Sequence, residues 1–146
     1  MRAASVVNYY PSPLEAAVMK IRKFEELESL KKARRLTNEI YRATGGGGFA
    51  RDFGLKDQVR RASVSILSNI AEGFERGGDK EFMQFLAVAK GSCGEVRAQI
   101  YIALDQGYLS AEDFNDLSTN ATEVSQLLSG LIKYLKGSEM RGNRYR

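Results

Sequence analysis

The residue types that carry most protein chemistry are thinly supplied in this chain. Among 146 residues there is no His, no Trp and a single Cys. Cys93 is the one thiol available for nucleophilic attack, and such attack needs a base or a positive field to hold the thiolate. No His can serve, and Cys93 falls on the apolar stripe of a helical pattern, where a free cysteine packs as a small hydrophobe. Core packing is therefore its favoured role. Glu72, Glu75, Glu81 and Glu95 could gather into a carboxylate cluster, and four-helix bundles do house di-iron centres. Those centres also draw on Glu-x-x-His, which this chain cannot supply. The common zinc and Cys–His arrangements fail for the same reason, and one cysteine excludes a disulfide framework. The expectation is a non-enzymatic protein with no metal, no cofactor and no small-molecule substrate.

Two polar lines are more informative. Arg61, Ser65, Ser68, Asn69 and Glu72 fall beside one apolar stripe, and Ser92, Glu95 and Gln99 make a comparable line at i, i+3, i+7 on another. They read either as hydrogen-bonded ties between helices or as a shared polar site facing a partner. Ties are favoured, because buried polar groups normally find partners within the fold. Ala87, Gly91, Gly94 and Ala98 form a third feature, a small-residue face roughly opposite the stripe through Ala89 and Cys93. Each mid-helix Gly costs about 1 kcal/mol against Ala, so two on one face call for compensation. Close approach of another backbone would provide it, and the position away from the core stripe points to homo-oligomerisation.

The formal charge is +4, from 22 Lys and Arg against 18 Asp and Glu. Residues 133–146 alone carry a net +4, residues 1–24 carry +3, residues 25–104 carry +2, and residues 105–132 carry −5 with no Lys or Arg. Within this uneven field Lys31, Lys32, Arg34 and Arg35 make a short basic run, joined by Arg60-Arg61. The bland reading is a solvated face with Glu28 paired to Lys32 at i, i+4. The functional one is a phosphate-contacting surface, with Lys31, Lys32, Arg35 and Arg60 as the contacts and an affinity that falls with salt. No RNP sequence, aromatic stacking motif or recognition-helix signature accompanies the run.

These residues need helices to position them. Pro11 and Pro13 disfavour helix around them, so residues 1–23 read as a flexible arm. From Phe24, Leu27, Leu30, Ala33, Leu36, Ile40 and Tyr41 recur at helical spacing, and the helix ends in the loop Gly45–Gly48. That glycine run lacks the Lys-Ser/Thr and preceding strand of a phosphate loop. A second helix spans about Leu55 to Gly73. The third follows Gly77-Gly78-Asp79, with Asp79 as its expected cap, and runs to Gln106. The fourth opens at the capping box Ser110–Asp113 and carries Phe114, Leu117, Ala121, Val124, Leu128, Leu131 and Leu135. Four helices of roughly 19 to 28 residues with short connections pack most simply as an all-α, antiparallel up-down-up-down four-helix bundle over residues 24–136. Residues 137–146 are left as a basic tail. No apolar run approaches the roughly 18 residues of a membrane span, and the lone thiol without a signal peptide favours a cytoplasmic location.

Several of these segments resemble a known family. Gln58-Val-Arg-Arg-Ala-Ser-Val-Ser65, Ser68-Asn-Ile-Ala-Glu-Gly-Phe74, Lys80-Glu-Phe82 and Gly91-Ser-Cys-Gly-Glu95 are similar to the four-helix bundle proteins encoded in intervening sequences of bacterial 23S rRNA genes. Phe24-Glu-Glu-Leu27 through Ile40-Tyr41 resembles the family's opening helix. The resemblance implies a left-handed bundle assembling as a homopentamer. It extends to the accessory variability determinant proteins of diversity-generating retroelements, which associate with a reverse transcriptase and nucleic acid. It implies association with rRNA or the ribosome through gene location alone, which is not a physical argument. The leading expectation is an oligomer that binds nucleic acid, specifically RNA, through repeated basic patches. The alternative is a protein-interaction scaffold that recruits another protein, such as a polymerase.

Overall fold

The structure, a computed structural model, describes Ile21 and residues 23–144, without the side chains of Glu26 and residues 139–144. The arm expected over residues 1–23 thus lies almost wholly outside the described residues, as do Tyr145 and Arg146 of the basic tail. Among the described residues the chain is all-helical, with five α-helices, one 3₁₀ turn and no strand.

The 3₁₀ turn Phe24–Glu26 leads into α1, Glu28–Ala43. Leu30, Ala33, Leu36, Thr37 and Ile40 form its buried face, so its 3.6-residue stripe matches the sequence pattern. Tyr41, read there as part of the apolar face, is 44% exposed. It sits at the edge of the stripe, where a guanidinium covers it instead of the core.

The glycine run departs from expectation. Gly47–Arg51 forms a short helix, α2, entered through Gly47 at φ +62°. Glycine in a helix costs about 1 kcal/mol, and the burial of Phe49, only 1% exposed, returns about 1.5–3 kcal/mol. A tertiary contact therefore makes helix where propensity predicts loop. Phe49 stacks on Tyr108 with ring centroids 5.6 Å apart, and the Tyr108 hydroxyl donates to Asp52 Oδ2 at 3.1 Å.

α3 spans Phe53–Glu75, two residues beyond the expected range at each end; its earlier start follows from Asp52, which caps it by accepting from the Leu55 N–H at 3.1 Å. α4 spans Asp79–Asp105. Its N-cap is Gly78 and Asp79 makes no cap bond, so Asp79 contributes a favourable charge to the first turn rather than the expected cap. α5 spans Ala111–Arg144, with Ser110 Oγ accepting from the Asp113 N–H at 3.1 Å. It continues through most of the stretch read as a tail, and no break in the backbone marks residue 136.

The long helices pack side by side in the order α1, α3, α4, α5 and back to α1, while α2 lies against α3. Each helix gives one stripe to a single core centred on Leu36, Ile66, Leu86, Ile100 and Leu128, all inaccessible to solvent. Gly73 governs how closely α3 approaches α4. A Cβ at that position would lie 2.5 Å from Phe85 Cβ, so the Asn69–Gly73 segment ends in a residue that no other side chain can replace without displacement.

Candidate functional site

Lys31, Lys32 and Arg35 of α1 stand in solvent, each beside a carboxylate. Lys31 Nζ lies 3.2 Å from Glu28, and Arg35 Nε lies 3.3 Å from Glu39 one turn on. Lys32 reaches across to Glu123 on α5 at 3.1 Å, in place of the expected partner Glu28. The reason is the packing of α5 beside α1. The acidic stretch 105–132 has no cation of its own, and α1 supplies one. Asn120 of α5 adds a hydrogen bond to Glu39 Oε2 at 2.6 Å. Exposed pairs of this kind contribute at most about 1 kcal/mol each, so they leave the cations available to stronger anions.

Arg60, grouped with these cations on sequence, has a different setting. Its Nε donates to Thr44 Oγ1 at 2.7 Å, its Nη2 to the Tyr41 carbonyl at 3.3 Å, and its guanidinium lies 4.3 Å from the centre of the Tyr41 ring. A cation from α3 thereby satisfies acceptors at the C-terminal end of α1, where the helix dipole is negative.

Of Arg61, Ser65, Asn69, Glu72, Ser92 and Glu95 on the two polar lines, three come together. Ser65 Oγ and Ser92 Oγ are 2.9 Å apart across α3 and α4, and Asn69 Nδ2 donates to the Ser65 carbonyl at 2.8 Å and to its Oγ at 3.0 Å. The other three do not join the helices. Arg61 pairs with Asp57 and Glu72 with Arg76, each on or next to its own helix and exposed, while Glu95 is exposed. They lie on the solvent side of the line, where one residue's shift around the helix replaces a partner with water. Ser68 is likewise exposed, whereas Gln99 Oε1 is buried without a hydrogen-bond partner among the described residues. Sequence reading missed a second tie, from Thr37 Oγ1 to the Ser63 carbonyl at 3.3 Å, although two hydroxyl residues on apolar stripes were its signal.

The outward side of α4 is largely unpartnered among the described residues, apart from Tyr101 against the Phe114 ring at 4.7 Å. Ala87, Gly91, Gly94 and Ala98 are all exposed, and a Cβ added at either glycine would meet nothing within 4 Å. Val88, Tyr101 and Ile102 border them at 55%, 57% and 48% exposure. Cys93 lies on the opposite, buried side, where burial pushes its thiol up to about 11 against the pull of Arg97. It stays protonated at neutral pH and packs as a hydrophobe.

Two open clefts mark the surface. One of about 640 Å³ runs between α1 and α5 and mixes Arg35 and Arg42 with Glu39, Asp113 and Asp116. The other, of about 500 Å³, lies at the start of α3. Glu72, Glu75, Glu81 and Glu95 are exposed, and no group of three or more metal-ligating side chains is found among the described residues. No described helix is long and apolar enough to cross a membrane.

The sequence profile of the 23S rRNA-intervening sequence protein family matches residues 25–130. The chain belongs to that family. The match takes in α1 to α4 and more than half of α5, including the Ser65–Asn69–Ser92 contact and the outward face of α4. Among solved structures, a protein of unknown function from the S23 ribosomal protein family of Bacteroides thetaiotaomicron is similar at a TM-score of 0.62 and 24% identity, covering 72% of this chain and 94% of that one. At that identity the likeness speaks for the fold of this 23S rRNA-intervening sequence protein and not for its partners. No curated protein matches the chain.

Proposed function

We propose that this protein is a non-enzymatic, cytoplasmic homo-oligomer, a pentamer on the family resemblance, that binds nucleic acid, specifically RNA, through basic patches repeated around the assembly. Within each subunit the four long helices run up-down-up-down and twist left-handed. The short connections between helices that are neighbours in space support the first point, and the usual packing of four-helix bundles supports the second. The observation that carries the nucleic-acid reading is the exposed ridge of Lys31, Lys32 and Arg35, whose carboxylate partners hold them only weakly. Phosphates can compete for these cations, and repetition in an oligomer multiplies modest single-site affinity. Assembly is supported by the outward face of α4, which is open among the described residues and whose apolar surface a second copy would remove from water. The partner implied by the family name is rRNA or the ribosome.

Gel shifts with RNA and DNA over a salt series test the reading, using wild type and a Lys31/Lys32/Arg35→Glu variant. The expected result is binding that weakens steeply with salt and is lost in the variant. Absence of binding at low salt, or equal binding by the variant, overturns it. Light scattering at micromolar concentration tests the assembly, and a monomeric mass would sink it.

A second reading has its own observation. Because Lys31, Lys32 and Arg35 each already face a carboxylate while Val88, Tyr101 and Ile102 stand exposed, the surface also suits a scaffold that recruits another protein, such as a polymerase. Such a scaffold would show no salt-sensitive gel shift.

A further inference from the structure

Phe53 is 76% accessible, the most exposed of the large hydrophobic side chains among the described residues. It is the first residue of α3, immediately after Asp52, whose bond to the Leu55 N–H fixes the turn. The ring is therefore held out on a rigid element and contributes little to the core.

Its surroundings are cationic. The 500 Å³ cleft beside it is lined by Phe53, Gly54, Lys56, Asp57 and Arg60. Asp57 is matched by Arg61 at 3.0 Å, whereas Lys56 has no ion pair among the described residues. Arg60 stacks on the Tyr41 ring, itself 44% exposed, and is anchored by Thr44. Gly54 leaves the approach open, since a Cβ there would meet only Asp52 Oδ1, at 3.9 Å. The cleft thus joins a flat exposed ring to two cations on the same helix face, at i, i+3 and i+7.

We propose that this cleft binds an unpaired stretch of nucleic acid, with a base stacked on Phe53 and the adjoining phosphates on Lys56 and Arg60. The inference rests on the nucleic-acid reading above and narrows it to single strands. In a duplex the base faces are covered by their neighbours, so an aromatic ring has nothing to stack on; an unpaired base offers its π-face, and any base will do. Charge selects this occupant over an apolar protein segment, which would desolvate Lys56 and Arg60 without matching them. Arg60 needs no rearrangement to take part, because its contacts with α1 already hold it in place.

The experiment uses the absence of Trp from the chain. Phe53→Trp installs a sole indole in the cleft, to be titrated with a single-stranded RNA of about twelve nucleotides, the same sequence as single-stranded DNA, and the corresponding duplex. The expected result is saturable quenching by single strands and little by duplex, with any preference between RNA and DNA identifying the natural source. Phe53→Ala should weaken single-strand binding about tenfold or more, and Lys56→Ala should make the salt dependence shallower. Both side chains are outside the core, so thermal melting and solution mass are expected to stay those of wild type.

If wild type binds single strands and Phe53→Ala binds equally well, or the indole is not quenched, this proposal fails while the nucleic-acid reading stands. Should wild type bind no oligonucleotide at all, both fail. A fall in solution mass for Phe53→Ala without loss of nucleic-acid affinity would make the cleft a contact between copies and overturn the proposal.

Discussion

α1 and α4 belong to the same bundle yet turn different surfaces to the outside. α1 buries Leu30, Ala33, Leu36 and Ile40 and faces solvent with Lys31, Lys32, Arg34, Arg35 and Asn38. α4 buries Leu86, Ala89, Cys93, Val96 and Ile100, but its far side offers Ala87, Val88, Gly91, Gly94, Ala98 and Ile102. A helix with one wholly polar outer face is at home at the edge of a monomer; α4 instead mixes these small and apolar residues with Lys90, Glu95 and Arg97 on its exposed side. The difference teaches that the core uses only half of α4, while the other half meets no partner among the described residues.

The inward half should be the costly one to disturb. Leu86→Ala removes a fully buried side chain and should destabilise by about 2–5 kcal/mol, measured by urea unfolding. A loss below 1 kcal/mol would mean that α4 does not pack its inward stripe into the core. Gly73→Ala brings a methyl against Phe85 at the α3–α4 approach and should cost about 1–3 kcal/mol, with a lower melting temperature as readout.

pH offers a reagent-free test of the same inward face. Cys93 titrates at about 11 in the fold against 9.0 in a free thiol. A raised pKa in the folded state means that the unfolded chain loses its proton first. The associated stability is complete below pH 9 and declines between pH 9 and about 11, by at most about 3 kcal/mol in all. Cys93→Ala should flatten the thiol's part of that decline in urea titrations at successive pH values. Tyr108 adds a smaller contribution of the same sign above pH 10, because its hydrogen bond to Asp52, then desolvation and the Asp52 charge, raises the phenol. An unchanged pH profile in the variant would remove Cys93 from the account.

The outward half gives the smallest and most discriminating effect. With nothing within 4 Å of either Cβ position, Gly91→Ala and Gly94→Ala should each stabilise an isolated subunit by about 0.5–1 kcal/mol through helix propensity. If the face is an interface, the same methyls should weaken assembly. Dilution series in light scattering and unfolding therefore move in opposite directions, whereas parallel movement would break the contrast between α1 and α4.

Much of this contrast could be read in advance, because helical stripes record burial directly. The core residues of the four long helices follow 3.6-residue spacing, and the Ser65–Ser92 contact lay on the two polar lines. What escaped depended on partners distant in sequence. α2 is Gly-Gly-Phe-Ala-Arg, whose paired glycines outweigh the helix-forming Ala and Arg, and Tyr108 covers its Phe49. Lys32 pairs 91 residues away with Glu123, beyond any i, i+4 rule. Phe53 fell just before the first apolar residue of the expected second helix, so its exposure beside Lys56 had no local signal.

Tyr108 has a consequence for motion. It stands in the turn between α4 and α5, stacks on Phe49 of α2 and bonds the Asp52 that caps α3. Connections that are far apart along the chain thereby share one latch. Opening any of them exposes the same ring, so they form a single cooperative unit. The amides of Asp52, Leu55 and Tyr108 should exchange with solvent deuterium at a common rate, and Tyr108→Phe should quicken all three together.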